Sequence, residues 1–175
     1  MPEVIRTERP YAGRIVTVRV DEVRRADGRP MRLEVVEHVP SVGIVPLHDD
    51  GRVVLIRQYR HATGEELLEI PAGSIDPGET GEACAQRELA EEISFQAGSI
   101  VRLGGFYLCP GYLNEFMEIY LARQLRPAMA TPDEDEEITL AEMPLPEALR
   151  LAAAGELRDA KTIAALAMAA AHLGL

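Results

Sequence analysis

The chain has few cysteines, no long apolar run and no surplus of positive charge, and each shortage closes off a class of function. Cys84 and Cys109 are neither numerous enough for a disulfide framework nor spaced as a CxxC pair, so they are read as buried free thiols. No uncharged apolar run reaches the roughly 18 residues that a membrane-spanning helix needs. The N-terminal MPEVIRTERPYAG lacks the apolar core of a signal peptide. These two absences predict a soluble, cytoplasmic protein with no membrane partner. Lys and Arg number 18 against 29 Asp and Glu, a formal net charge of -11. Nucleic acid is therefore not an expected partner, because its recognition draws on clustered cations. A small phosphorylated ligand remains open, since a few local arginines or bound metals suffice to hold one. Internal repeats, low-complexity tracts and segments polar enough to form a disordered arm are missing as well.

What is present is enough for one globular domain of ordinary size with a small appendage. The chain has 175 residues, 47% of them hydrophobic, and can bury a real core. Two β-branched, alternating runs at 14–24 and 31–39 flank ADGRP, and a second pair, SVGIVPLH and RVVLIRQY, flanks Asp49-Asp50-Gly51. Both read as hairpins, because Asp-Gly favours the tight turns that join antiparallel strands. Further strands are predicted at 67–72, 99–107, 115–125 and 136–143. Helices are predicted from Thr80 to Ile93 after the turn Asp76-Pro77-Gly78, from Pro144 to Ala154, and from Asp159 to Leu173 with Asp159 as cap.

The first of these helices concentrates charge. Glu88, Glu91 and Glu92 stand at i, i+3 and i+4 and so share one helical face. Like charges at that spacing cost roughly 0.2–0.5 kcal/mol per pair in water. Arg87 offsets only part of that, and a hard divalent cation with oxygen ligands would turn the cost into a gain. A solvated acidic face is the alternative. It is weakened by the preceding PAGSIDPGETG, whose glycines at 73, 78 and 81 let backbone approach a metal or an anionic ligand closely. A second acidic run, DEDEE at 133–137, reads on its own as a solvated loop between two strands.

Residues 73–95 resemble the Nudix box, G-x5-E-x7-R-E-U-x-E-E-x-G-U, where U is a bulky apolar residue. Gly73, Glu79, Arg87, Glu88, Leu89, Glu91, Glu92 and Phe95 all fall in register, and the single departure is Ser94 in place of a glycine. Glycine there permits a left-handed backbone at the helix end, so Ser94 makes the local geometry of that end the open point. The resemblance implies an α/β (α+β) fold, the Nudix-type α/β/α sandwich with a mixed sheet. It implies a small antiparallel β subdomain at about 1–40, exchanged across a homodimer, followed by the Nudix domain at 41–175.

It also implies a chemistry. Glu88 and Glu92 match the principal Mg²⁺ ligands, with the carbonyl of Ala72 completing a metal site; two or three Mg²⁺ ions are expected, or Mn²⁺ in their place. Glu91 matches an auxiliary ligand or catalytic residue, and Arg87 a residue that orients the glutamates. Glu79 is implied to support the loop. Pro110 follows the box's glycine position by sixteen residues, in CPGYLNE. That spacing resembles the ADP-ribose pyrophosphatase branch, where residues matching Pro110, Gly111 and Glu115 approach the terminal ribose. In that branch the acidic loop brings carboxylates to the metals; Glu134 is taken as the base and Glu136 as a further ligand, with Glu137 able to replace either. Of Arg57 and Arg60 at a strand end, Arg60 is favoured as a fork for the diphosphate. Ser74 in the glycine-rich loop, and Arg32, Glu34 and His38 of the N-terminal hairpin, complete the substrate-binding candidates. The implied reaction is hydrolysis of ADP-ribose to AMP and ribose 5-phosphate. Two alternatives are a pyrophosphatase for another nucleoside diphosphate sugar such as GDP-mannose, and a ligand-sensing module without catalysis.

Overall fold

The computed structural model describes residues 2–129 and 137–175. The chain divides into two compact units, one of Met1–Pro40 with Phe106–Met117 and one of Ser41–Gly105 with Glu118–Leu175.

The first unit carries a three-stranded antiparallel sheet in the order β1 (Glu3–Ala12), β2 (Thr17–Arg24), β3 (Pro30–Glu37). The predicted Asp-Gly hairpin closes β2 onto β3. Gly28 takes a positive φ of 81° and its N–H donates to the Arg25 carbonyl at 2.9 Å, a backbone that a residue with a side chain adopts only at a cost. β1 is absent from the predicted elements. Its sequence, EVIRTERPYA, has no clean alternation, every residue is exposed, and its ladder shifts register between Glu8 and Tyr11, around Pro10. An edge strand can tolerate a proline at such an irregularity, and pairing with β2 then defines it where pattern does not. In the same unit the turn after β8 docks on β3, where the Val36 N–H donates to the Tyr112 carbonyl at 2.7 Å.

The second unit holds β4 (Ser41–Pro46), β5 (Arg52–Arg60), β6 (Glu65–Glu69), β7 (Ala72–Ser74), α1 (Gly81–Ile93), β10 (Ile138–Pro144), α2 (Leu145–Ala153) and α3 (Ala160–Leu173). β8 (Phe95–Tyr107) and β9 (Phe116–Pro127) run on between the two units. Two sheets form, β7-β4-β9-β8 and β10-β5-β6. This corrects the second predicted hairpin. The turn at Asp49-Asp50-Gly51 does close, with the His48 N–H donating to the Arg52 carbonyl at 2.9 Å. Beyond the single bridge Leu47–Val53, however, β4 enters one sheet and β5 the other. Both strands carry an apolar stretch without alternation: β4 is buried along its whole length, and Val53–Ile56 are buried too. Such strands are central ones that want partners on each side, which a lone hairpin cannot supply.

α1 starts at Thr80, whose hydroxyl accepts the Ala83 N–H at 3.2 Å. It buries Cys84, Ala85, Leu89 and Ile93 against Val42 and Ile44 of β4, Val54 and Ile56 of β5, and Tyr120 and Ala122 of β9. Its end answers the question raised by Ser94. The serine takes the left-handed conformation itself, at φ 57° and ψ 38°, and its N–H still closes onto the Ala90 carbonyl. The glycine-type helix end is kept, at a strain of about 1 kcal/mol. α3 also packs on β4, and α2 packs on β5, β10 and α3. Among the described residues no helix is long and apolar enough to cross a membrane.

Candidate active site

β7 and α1 bring the box together. The Ala72 N–H donates to Glu92 Oε2 at 3.0 Å. One residue on, a Cβ built on Gly73 would overlap the Glu88 carboxylate, so the backbone passes where no side chain fits. Glu88 and Glu92, one helical turn apart, therefore meet the same two-residue stretch of backbone. Glu88 is buried, at 8% exposure. A second close approach sets the start of the helix, where a Cβ on Gly81 would run into the Tyr120 hydroxyl and the Glu118 carboxylate.

Arg87 organises the acids around this backbone. It forks onto Glu79, with Nε donating to Oε1 at 3.1 Å and Nη2 to Oε2 at 3.0 Å. Its Nη1 donates to Glu88 Oε1 at 2.7 Å and to Glu91 Oε2 at 3.0 Å, and its Nη2 also reaches the Ser74 carbonyl at 3.0 Å. One guanidinium thus ties the loop to three carboxylates, a task that suits its rigid array of donors. The hydrogen bonds from Arg87 draw the Glu79 pKa down to about 2, and those carboxylates push the Arg87 pKa further up. Burial pushes the neighbouring Cys84 thiol up to about 12, so it stays protonated and inert at neutral pH.

Glu88 and Glu92 bring carboxylate oxygens, the ligand type a hard divalent cation takes, to one backbone segment, Ala72–Gly73. Among the described residues no group of three or more His, Cys, Asp and Glu is assembled as a finished metal cage. The positive charge at the centre is supplied by Arg87.

The remaining candidates lie in different places. His38, Pro110, Gly111 and Glu115 all lie in the first unit. The His38 N–H donates to Asn114 Oδ1 at 2.8 Å, and its Nδ1 lies 3.6 Å from Glu115 Oε2. Pro110 and Gly111 line a cavity of about 310 Å³ with Val35, Tyr107 and Tyr112. Arg32 and Glu34 stand on β3, opposite Glu22 and Val20 of β2. Arg60 belongs to the second unit and forks onto Glu69 at 2.8 and 2.7 Å. Glu134 and Glu136 lie outside the described residues; Glu137 is exposed, just before β10.

A family model, described as the NUDIX domain, matches residues 37–166. The chain belongs to the Nudix family. An ADP-ribose pyrophosphatase of Bacillus subtilis is 31% identical over 166 residues, covering 94% of this chain and 90% of that protein. An ADP-ribose pyrophosphatase of Mycobacterium tuberculosis is 37% identical, covering 93% of this chain and 80% of that protein. A solved structure described as an ADP compounds hydrolase superposes with a TM-score of 0.90 at 28% identity, over 99% of this chain and 94% of that one. The mixed α/β Nudix fold expected from the box is the fold found.

Two features of this Nudix chain escaped the sequence reading. One is Glu118, which accepts the Tyr120 hydroxyl at 2.6 Å beside Gly81. The other is Glu69, 1% exposed and held by Arg60 and Lys161. A signal for the second existed, since Lys161 is the only lysine in the sequence.

Proposed function

We propose that the protein hydrolyses the diphosphate of ADP-ribose, adding water to give AMP and ribose 5-phosphate, with Mg²⁺ or Mn²⁺ as cofactor. The observation that carries this reading is the convergence of Glu88 and Glu92 on the Ala72–Gly73 backbone, with Arg87 fixing the acids around it. The ADP-ribose pyrophosphatase relatives, similar over nearly the whole chain, support the choice of substrate.

Glu88, Glu92 and the Ala72 carbonyl would hold the metal ions, Glu136 adding a further ligand. Such ions would supply positive charge against the diphosphate oxygens and would lower the pKa of water. Glu134 takes the proton from that water, and Glu91 assists. Arg87 keeps Glu88 and Glu91 in place, so the carboxylates need no reorganisation when substrate arrives. Arg60 and Ser74 contact the diphosphate; Pro110, Gly111 and Glu115 meet the terminal ribose. Arg32, Glu34 and His38 enclose the adenine in a cytoplasmic homodimer that exchanges the β subdomain of residues 1–40.

The test is a panel of nucleoside diphosphate derivatives, ADP-ribose and GDP-mannose among them, assayed with Mg²⁺ and product identification. The highest kcat/KM for ADP-ribose, with AMP and ribose 5-phosphate as products, is the expected result. A higher kcat/KM for another sugar nucleotide would reassign the substrate, and no Mg²⁺-dependent release of nucleotide from any member would leave a binding module.

A further inference from the structure

Outside the box, Glu69 at the end of β6 is a buried carboxylate held by two cations. Its Oε1 accepts from Arg60 Nε, and its Oε2 from Arg60 Nη2 and from Lys161 Nζ. Lys161, itself only 12% exposed in its side chain, also lies 3.0 Å from Asp159. Asp159 accepts both the N–H and the hydroxyl of Thr162, and the Thr162 oxygen in turn accepts the Ile70 N–H at 2.8 Å. The Ile44 N–H takes the Pro71 carbonyl at 2.9 Å, and the next residue is Ala72, bonded to Glu92. Each residue from Glu69 to Ala72 is therefore pinned by a separate contact.

Burying such a set of charges brings little stability over a well-packed apolar replacement, so its use is to be sought in what it holds. What it holds is Arg60. Only Nε and Nη2 of that guanidinium are spent on Glu69, out of five N–H donors. The side chain is 40% exposed. Arg60 thus forks onto a residue three positions before Ala72, whose N–H is bonded to Glu92; the acid suits a cation, and the arginine has donors to spare for an anion.

We infer that Glu69, clamped by Lys161, is a positioning residue that fixes the Arg60 guanidinium so that its remaining donors take a phosphate of the substrate diphosphate. This rests on the diphosphate hydrolase reading above. It gives Glu69 and the sole lysine a part in substrate binding without contact to substrate.

The experiment is a double-mutant cycle of Glu69→Gln and Arg60→Gln, read by calorimetric binding of magnesium imidodiphosphate to each purified protein and by KM and kcat. Arg60→Gln leaves Glu69 paired with Lys161 and so keeps the cluster's fold. Glu69→Gln is expected to weaken binding and raise KM between about tenfold and a hundredfold with a smaller change in kcat. In the Arg60→Gln background, the same change should add almost nothing. If Glu69→Gln does not fold, the charge-balanced Glu69→Gln/Lys161→Met variant takes its place in both arms. Full additivity of the two changes, or binding unaffected by Arg60→Gln, overturns the inference, as does failure of the parent to bind imidodiphosphate. Failure of the parent to cleave ADP-ribose overturns the proposed substrate alone, because the binding cycle is read without turnover.

Discussion

Two charged clusters of the second unit are balanced in opposite senses. Around Arg87 stand Glu79, Glu88 and Glu91, with Glu92 on the adjoining turn, so acids outnumber the one cation. Around Glu69 and Asp159 stand Arg60 and Lys161, two of each sign. The second cluster balances its own charge, with part of the Arg60 guanidinium left over. The first has a surplus of negative charge at a place where backbone carbonyl is also within reach, and that surplus is what a divalent cation would relieve. The contrast separates a cluster that neutralises itself and fixes an arginine from one whose surplus charge suits a cation.

Removing one acid from each cluster should therefore have opposite signatures. Glu92→Gln should cut turnover by on the order of a hundredfold or more. It should leave melting without metal at or above the parent value, because repulsion is relieved and the amide oxygen still accepts the Ala72 N–H. Added Mg²⁺ should raise the parent's melting temperature and leave this variant's unchanged, since only binding to the folded state shifts it. Near-parent turnover of Glu92→Gln under saturating Mg²⁺ would show the metal assignment to be wrong. Glu69→Gln, by contrast, should cost on the order of 3 kcal/mol with or without metal, since Arg60 loses its carboxylate and Lys161 keeps only Asp159. Chemical denaturation of both variants measures the difference.

Gly73→Ala comes next in size. The new methyl must displace the Glu88 carboxylate, so kcat should fall by at least about tenfold, with a stability loss of about 1–3 kcal/mol from overpacking. Parent-like kinetics in this variant would mean that Glu88 can move freely. A smaller effect separates Glu79 from its neighbours. Its pKa lies at about 2 when folded, against an ordinary value of 4.5. The contribution of its pairing with Arg87 is thus fully present above about pH 4.5 and lost as pH falls toward 2. Glu79→Gln should lie below the parent in stability at neutral pH and converge with it near pH 2, as followed by urea unfolding across that range. The smallest change is Ser94→Gly, which relieves a left-handed serine and should stabilise the fold by about 1 kcal/mol at most, with unchanged kcat.

The parts legible in sequence were those whose partners are close along the chain. The helix from Thr80 to Ile93, the Asp-Gly turn at Gly28 and the Asp159 cap were all read from neighbours within a few residues. The shared face of Glu88, Glu91 and Glu92 follows from helical periodicity alone. That Arg87 would fork onto Glu79 rather than Glu92 does not, because it depends on how the loop from Ser74 folds back. β4 and β5 looked like one hairpin because turn chemistry speaks only for the turn, while the sheets claimed each strand separately. β1 has no alternation to betray it, and Glu69 is joined to Lys161 across 92 positions, a separation at which pattern is silent. The acids at 134 and 136 lie outside the described residues.

The solitary lysine has one more consequence. Every other cationic side chain is an arginine, so the only side-chain primary amine sits in the interior, at the first turn of α3. Amine acylation of a side chain must then wait for that turn to open, and the labelling rate at Lys161 becomes a clock for local unfolding of α3.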